Sequence, residues 1–449
     1  MDSERREFVA MLGGLGVSLA GGRLPGARHP RLGATPDEWR RQFPALEQRL
    51  DGRRLTYLDS AATTLRPNAV IEELASFART DNANPSAALH TLARRAHERY
   101  EGARAEVARF IGASDAEEVV FTRGTTEAIN LVAASWGSAH CRPGDEILLG
   151  RGEHASNLVP WQLLTRRTGA VLRFFDLDAR GRALPAEVAR RLTPRTRLVA
   201  FAHVSNVLGH INPAAELAQV AREAGAAVLV DAAQSVPHIP VDVSRLNADF
   251  VAFSGHKMLG PMGIGVLWAR RAILDAMPPY QGGSNMAHDV GTDPGELDAH
   301  LAAGAHRFGA GTPNAAGAIG LAAAVRLLRT IGARELREHE QRLVERGLER
   351  LLPVQGLRLL GPAEPADRIA VFSFTIEGCS VPEIVRALDA DGIAVRGGDL
   401  ASRPLLERMG TGSAARASCY LYTTPSEIDL LADALHRLVR HRRLLEAPR

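Results

Sequence analysis

The 449-residue chain has three cysteines, Cys141, Cys379 and Cys419, and no CxxC pair among them. So few thiols at such spacings build neither a disulfide framework nor a zinc site, and they read as small buried apolar residues. Aromatics make up 5% of the chain and the basic residues are dispersed, so no basic stripe interleaved with aromatics is present to follow a nucleic-acid backbone. The charge is nearly balanced: Lys+Arg 54 against Asp+Glu 51 leaves +3. There is no repeat, coiled coil or low-complexity tract. Lysine is the scarcest charged residue, because Lys257 is the only one and the other 53 of the 54 basic residues are arginines. Arginine replaces lysine in solubility and ion pairing, but its guanidinium stays protonated and forms no Schiff base, whereas a desolvated lysine can. One retained amine is either a remnant of an arginine-biased composition or a covalent anchor.

What is present is the composition of an ordinary soluble enzyme, 45% hydrophobic and 23% charged, and long enough for two or three domains. Residues 3–20 combine the pair Arg5-Arg6 with a short Gly-rich apolar run and a small-residue stretch at Ser18-Leu19-Ala20. They resemble a twin-arginine export signal over residues 1–25, which implies export to or beyond the periplasm. Without that signal the chain stays cytoplasmic. The run is too short and too rich in glycine to span a bilayer, so no membrane anchor is expected after processing. An N-terminal arm follows over 26–54.

From about residue 55, nearly continuous apolar strands alternate with helical stretches: Val119–Thr122, Glu146–Leu149, Leu198–Phe201, Ala227–Val230 and Phe250–Phe253. This is the pattern of a mainly parallel α/β sheet covered on both faces, assigned to a large domain over 55–325. Asn212 as cap, Pro213 at the first helical position and Gly225 at the end punctuate a helix. Beyond 325 come long Arg/Glu/Leu-rich helices, strands Ile369–Thr375 and Ala417–Tyr422, and a last helix after Pro425, a smaller α+β domain over 326–449.

Three strand ends carry chemistry. Gly124-Thr125-Thr126 follows a strand and opens a helix, so N–H groups, hydroxyls and the helix dipole can converge on a phosphate, although threonines also serve simply as caps. Asp231 ends another strand at the edge where α/β sheets bind ligands, and as a lone feature it could equally cap a helix. Ser254-Gly255-His256-Lys257 places the amine at the same edge. An anion site, a ring-nitrogen partner and an amine are the three requirements of pyridoxal phosphate. The histidines His154, His203, His210, His238 and His256 lack metal-ligand spacing, so no metal is expected.

Those blocks, with Tyr57-Leu58-Asp59-Ser60-Ala61-Ala62, Glu153-His154, Asn157-Leu158-Val159-Pro160-Trp161, Val204-Ser205-Asn206, Asp231-Ala232-Ala233-Gln234 and Arg416-Ala417-Ser418, run from Tyr57 to the last helix. The chain resembles the class V aminotransferases among the fold type I pyridoxal phosphate enzymes, in particular the cysteine desulfurase/selenocysteine lyase group. The resemblance implies a mainly parallel seven-stranded sheet in the large domain and pyridoxal 5′-phosphate as cofactor. It implies Lys257 as Schiff-base lysine and proton shuttle, Asp231 on the pyridinium, His154 on the ring, and Asn206 and Gln234 on the phenolic oxygen. It places Thr125, Thr126, Ser254 and His256 on the phosphate, joined by Thr312 of a neighbouring subunit in a homodimer. Arg416 clamps the substrate carboxylate as a bidentate pair, and His90, Asn157 and Arg396 fall near the substrate.

The chain departs from that group in one loop. The family's loop cysteine, which attacks the substrate sulfur, falls on Ala401, and the histidines before it on Asp399 and Leu400. Cys419, three residues after Arg416 on a strand, is expected to face the other way. The resemblance then implies a small α-amino-acid substrate, reaction through an external aldimine and a quinonoid, and a C–S/C–Se or β-eliminating lyase without a persulfide cysteine. An epimerase similar to isopenicillin N epimerase, other carbanion chemistry, and a non-catalytic cofactor-binding partner protein are the alternatives.

Overall fold

Seven strands form the central sheet: β1 (Val119–Thr122), β2 (Glu146–Gly150), β3 (Val171–Phe175), β4 (Thr196–Ala202), β5 (Ala227–Asp231), β6 (Phe250–Ser254) and β7 (Gly265–Ala269). Their order across the sheet is β1-β7-β6-β5-β4-β2-β3. The computed structural model describes residues 35–86, 89–287, 290 and 301–446, so the twin-arginine segment and the arm up to residue 34 lie outside the described residues.

The five strands read from the sequence are present, and all pair in parallel except through β7, which runs antiparallel to both β1 and β6. β6 and β7 are buried along their whole length, and one apolar core joins Ile147, Leu149, Leu198, Ala200, Leu229, Phe250 and Leu267 to Trp136 and Trp161 of the covering segments. Strands buried on both faces need no alternation, which is why the apolar runs were continuous. β7 also shapes the site. Gly265 pairs with Thr122 on one side and Ser254 on the other, and a Cβ there would meet Gly124 Cα and, at 2.7 Å, the Phe253 carbonyl. Glycine at 265 therefore lets the ends of β1 and β6 close on each other.

The helix expected over 212–225 spans Ala214–Glu223. Asn212 does not cap it: its Oδ1 accepts from Ala183 N at 3.0 Å and its Nδ2 donates to Ala202 O at 2.8 Å. Those two bonds fix the loop after β4, and Pro213 takes the cap position.

A second, antiparallel sheet is built from β8 (Leu357–Leu360), β9 (Val371–Ile376), β10 (Arg396–Gly398) and β11 (Ala414–Ser418), in the order β8-β9-β11-β10. It packs with helices Ala333–Leu351, Val381–Ala390 and Pro425–Glu446 around a second core that includes Leu343, Phe372, Phe374, Leu388, Ala417 and Cys419. β11 stops at Ser418 rather than reaching Tyr422, because Tyr420 N turns back to Thr423 Oγ1 at 3.0 Å. Thr56–Tyr57 pairs in parallel with Ile393–Ala394, and a division at 325 would cut the continuous helix Ala315–Ile331.

Candidate active site

The carboxyl ends of β1, β2, β4, β5 and β6 open on one cavity of about 200 Å³. Its walls include Thr125, Thr126, His154, Asn206, Asp231, Gln234, Ser254, His256, Lys257, Arg396 and Arg416, eleven of the fourteen residues expected from the sequence. A larger cavity of about 680 Å³ lies between Pro36–Arg40, Ile393 and the last helix, and three of its five arginines, Arg40, Arg53 and Arg437, are paired with Glu427 and Asp391.

Lys257 sits on the turn Gly255–Lys257 that follows β6. Burial pushes its amine down from 10.5 to about 8; Asp231 opposes the fall, and Arg416 and Arg396 add to it. Asp231, the last residue of β5, is held up by burial, while the Ala233 N–H donated to it at 2.9 Å and the charge on Lys257 pull the other way. Thr125 opens the helix Thr125–Val132 with its N–H donating to Ser254 Oγ at 2.8 Å and its hydroxyl 2.7 Å from the same atom. Thr126 Oγ1 lies 2.8 Å from Ser156 Oγ. Three strand ends, those of β1, β2 and β6, thus present four hydroxyls around a helix N-terminus, the setting for an anion.

His154 is kept neutral, lowered to about 4 first by burial and then by Lys257. Its Nδ1 accepts from Ser156 N at 3.1 Å, so the neutral ring carries its proton on Nε2. Arg416, 2% exposed, donates to Asn206 O at 3.1 Å and to Asp59 Oδ1 at 3.2 Å. Arg396 stands opposite it across β10 and β11. Asn206 Nδ2 donates to Leu400 O at 3.0 Å, and Gln234 Nε2 to Ala61 O at 2.8 Å.

Three expected residues lie elsewhere. Asn157 is fully buried, with its Nδ2 donating to Glu153 Oε2 at 2.7 Å and its Oδ1 accepting from Trp161 Nε1 at 2.9 Å, so it braces the core beneath the site. His90 is exposed and caps the helix Thr91–Phe110, its Nδ1 accepting from Ala93 N at 3.3 Å. Thr312 is exposed, with Asn84 Nδ2 3.4 Å from its hydroxyl. Conversely, two residues matter that were not singled out, and two that were read only as departures from the family reach the site. Glu153 is buried under the site, pushed up to about 8 by burial, and takes the Ala202 N–H at 3.1 Å. Asp59 orients Arg416, and Leu400 and Ala401 line the cavity. Glu153 and Asp59 both stand within the quoted blocks, as acids close to strand ends, which was the available signal. Among the described residues no group of three or more His, Cys, Asp or Glu is placed to hold a metal ion.

The class-V aminotransferase family model matches residues 56–431. The chain belongs to that family. It is 45% identical over 400 residues to a probable cysteine desulfurase of Halalkalibacterium halodurans, covering 89% of this chain and 97% of that one. It is 44% identical over 400 residues to probable cysteine desulfurase 1 of Mycobacterium leprae, of whose length it spans 64%. The crystal structure of the cysteine desulfurase CsdA (S-sulfonic acid) from Escherichia coli matches with a TM-score of 0.83 at 37% identity, over 90% of this chain and 98% of that chain.

The class-V aminotransferase has pyridoxal 5′-phosphate as its cofactor, and the residues present fit it. Two polar atoms of cavity-lining residues, Gln234 Oε1 and Arg416 Nε, are buried without a hydrogen-bond partner in the chain, a cost that native proteins seldom leave unmet. Lys257 would hold the aldehyde carbon, Asp231 the ring nitrogen, and Thr125, Thr126, Ser254 and His256 the phosphate. The cofactor supplies an electron sink for the pair released when a bond at the substrate α-carbon breaks.

Proposed function

We propose that this enzyme is a lyase of the cysteine desulfurase group that cleaves the C–S or C–Se bond at the β-carbon of a small α-amino acid without a loop cysteine. The observation that carries the reading is Ala401, whose methyl group lines the cavity where the resemblance expects the nucleophile. Among the described residues lining the cavity, none is a cysteine. Cys141 lies in the core of the large sheet with its thiol pushed up to about 11, and Cys419 lies in the second core with its thiol pushed far up by burial. A thiol held protonated is a poor nucleophile.

The roles follow from the geometry. Arg416, with Arg396 beside it, binds the substrate carboxylate through the free edge at Nε. Lys257, neutral in a substantial fraction near pH 8, takes the proton from the α-carbon and returns it. His154, uncharged, would lie against the cofactor's ring without competing for that proton. The Cβ–S or Cβ–Se bond then breaks with its electron pair left on the β-carbon, which takes up a proton to give alanine. The sulfur of a sulfinate departs as sulfur dioxide, hydrated to sulfite, or the selenium of a selenol departs as elemental selenium, without attack by a cysteine.

The test is incubation of the loaded enzyme with cysteine, cysteine sulfinate and selenocysteine. Alanine with sulfite, or alanine with elemental selenium, in equal amounts is the expected result. Solvent deuterium entering the α-carbon with inversion and no released sulfur or selenium would overturn it in favour of an epimerase. We further propose a homodimer in which Thr312 serves the neighbouring subunit's site, supported by its exposure away from its own cavity, and export by the twin-arginine segment. Sedimentation equilibrium and cell fractionation test these two readings.

A further inference from the structure

We propose that Leu400 determines which substrate side chains the site admits, acting as a tethered apolar wall beside Lys257. Leu400 is 3% exposed, belongs to neither of the two apolar cores described above, and lines the cavity together with Lys257 and Arg416. Leu400 and Ala401 both have left-handed backbones, with φ of 53° and 52°. Residues other than glycine keep that conformation where their surroundings over-determine it.

Here the surroundings do so. Leu400 O accepts from Asn206 Nδ2 at 3.0 Å, and Ser402 Oγ donates to Asn206 Oδ1 at 3.2 Å. Ala155 N donates to Ala401 O at 2.8 Å. Within the loop, Ala401 N donates to Asp399 Oδ1 at 3.0 Å and Ser402 N to Asp399 O at 2.9 Å. Ser402 is itself fully buried and precedes the helix Arg403–Arg408. The loop is therefore fastened both to the segment after β2 and to the segment after β4, whose ends form the site.

The charged and hydroxyl groups of the wall are committed to other work: Arg416 and Arg396 to a carboxylate, Lys257 to the aldehyde carbon and the α-proton, and Thr125, Thr126 and Ser254 to a phosphate. Among the apolar residues that remain, alanines, Val204 and Leu400, Leu400 is the bulkiest. The side chain of an amino acid held by its carboxylate and amine is left to meet those apolar residues, of which Leu400 projects the largest side chain. Compact side chains fit against that wall, and branched or aromatic ones do not. The inference rests on the proposed reading for which bond breaks, but not for which side chains enter.

The test reads exchange of the α-proton for solvent deuterium, which needs no leaving group, on loaded wild-type, Leu400→Ala and Ser402→Ala enzymes with L-alanine, L-leucine and L-phenylalanine. Wild type is expected to favour alanine by tenfold or more in kcat/KM. Leu400→Ala is expected to raise the leucine-to-alanine and phenylalanine-to-alanine ratios at least tenfold, and Ser402→Ala to raise them less. Hydrogen exchange gives a readout apart from activity: the amides of Ala401 and Ser402, both donated to Asp399, should be protected in the cofactor-free wild type and lose protection in Ser402→Ala. Unchanged ratios in a folded, cofactor-saturated Leu400→Ala enzyme, or unprotected amides in wild type, would overturn the inference. If Leu400→Ala does not fold, Leu400→Val must shift the ratios in the same direction, and flat ratios overturn it equally. Shifted ratios with no sulfite or selenium from any substrate would support Leu400 while refuting the lyase reading.

Discussion

Because Lys257 is the only lysine, any reagent that modifies lysine side chains reports on the active-site amine alone. Reductive methylation of the cofactor-free protein with formaldehyde consumes only the neutral amine, so its rate at the peptide carrying residue 257 should follow the titration of that group. Burial brings the amine from 10.5 to about 8. At pH 7.5 roughly one amine in four is then neutral, against about one in a thousand for an ordinary lysine, a gain of about 200-fold. The charges around it make opposite demands. Asp231 raises the value and Arg416 lowers it. Asp231→Asn should therefore move the midpoint below 8 by on the order of one pH unit, and Arg416→Met should move it upward. Mass spectrometry of the residue-257 peptide across pH 6 to 11 gives all three midpoints. A wild-type midpoint at the ordinary lysine value, or variants that move in the same direction, would refute the placement of the amine between these two charges.

Three further outcomes can be checked on the folded protein. His154, His203, His210, His256 and His339 are each lowered to about 4, with burial the main cause. Their unfolded imidazoles take protons near 6.5 while the folded ones resist until about 4. The unfolded state thus binds more protons in that window, and stability is lost as pH falls through it, by several kcal/mol in total; urea midpoints at pH 7 and pH 5 with an unchanged slope test this. Asn157→Ala removes the partners of both Glu153 and Trp161 and should cost about 3 kcal/mol in urea unfolding; a raised substrate KM without that loss would return Asn157 to the substrate site. Gly265→Ala drives a Cβ into the backbone of Gly124 and Phe253, so cofactor affinity should fall at least tenfold by equilibrium titration while the β7 register is kept; unaltered affinity would mean that the closure of β1 on β6 does not form the phosphate cradle.

The elements most legible in the sequence were those governed by one local rule. β5 and β6 are apolar because both faces are covered, and the residue that ends or follows each, Asp231 or Lys257, is at the ligand edge for the same reason, so strand and chemistry were read together. β7 escaped because its apolar run Val266-Leu267-Trp268-Ala269 is short and follows Gly265, just after the turn-like stretch Gly260-Pro261-Met262-Gly263, and its role rests on a glycine whose value appears only when β1 and β6 lie on either side. Asn212 and Asn157 show the converse. Each carries the residue type of a cap or a ligand, but an amide has a donor and an acceptor, and the nearest unmet partners in the folded chain were Ala202 O and Ala183 N for one, Glu153 and Trp161 for the other. His90 was placed at the site by resemblance alone, and within one chain its ring spends its Nδ1 on the helix it caps. Leu400 was visible only as a departure from a motif. The departure coincides with two left-handed non-glycine residues, a buried leucine outside the described cores and a full set of tethers to Asn206 and Ala155, so what a motif shows only as a mismatch is, in the folded chain, a fastened segment of the cavity wall whose backbone strain is balanced by those bonds.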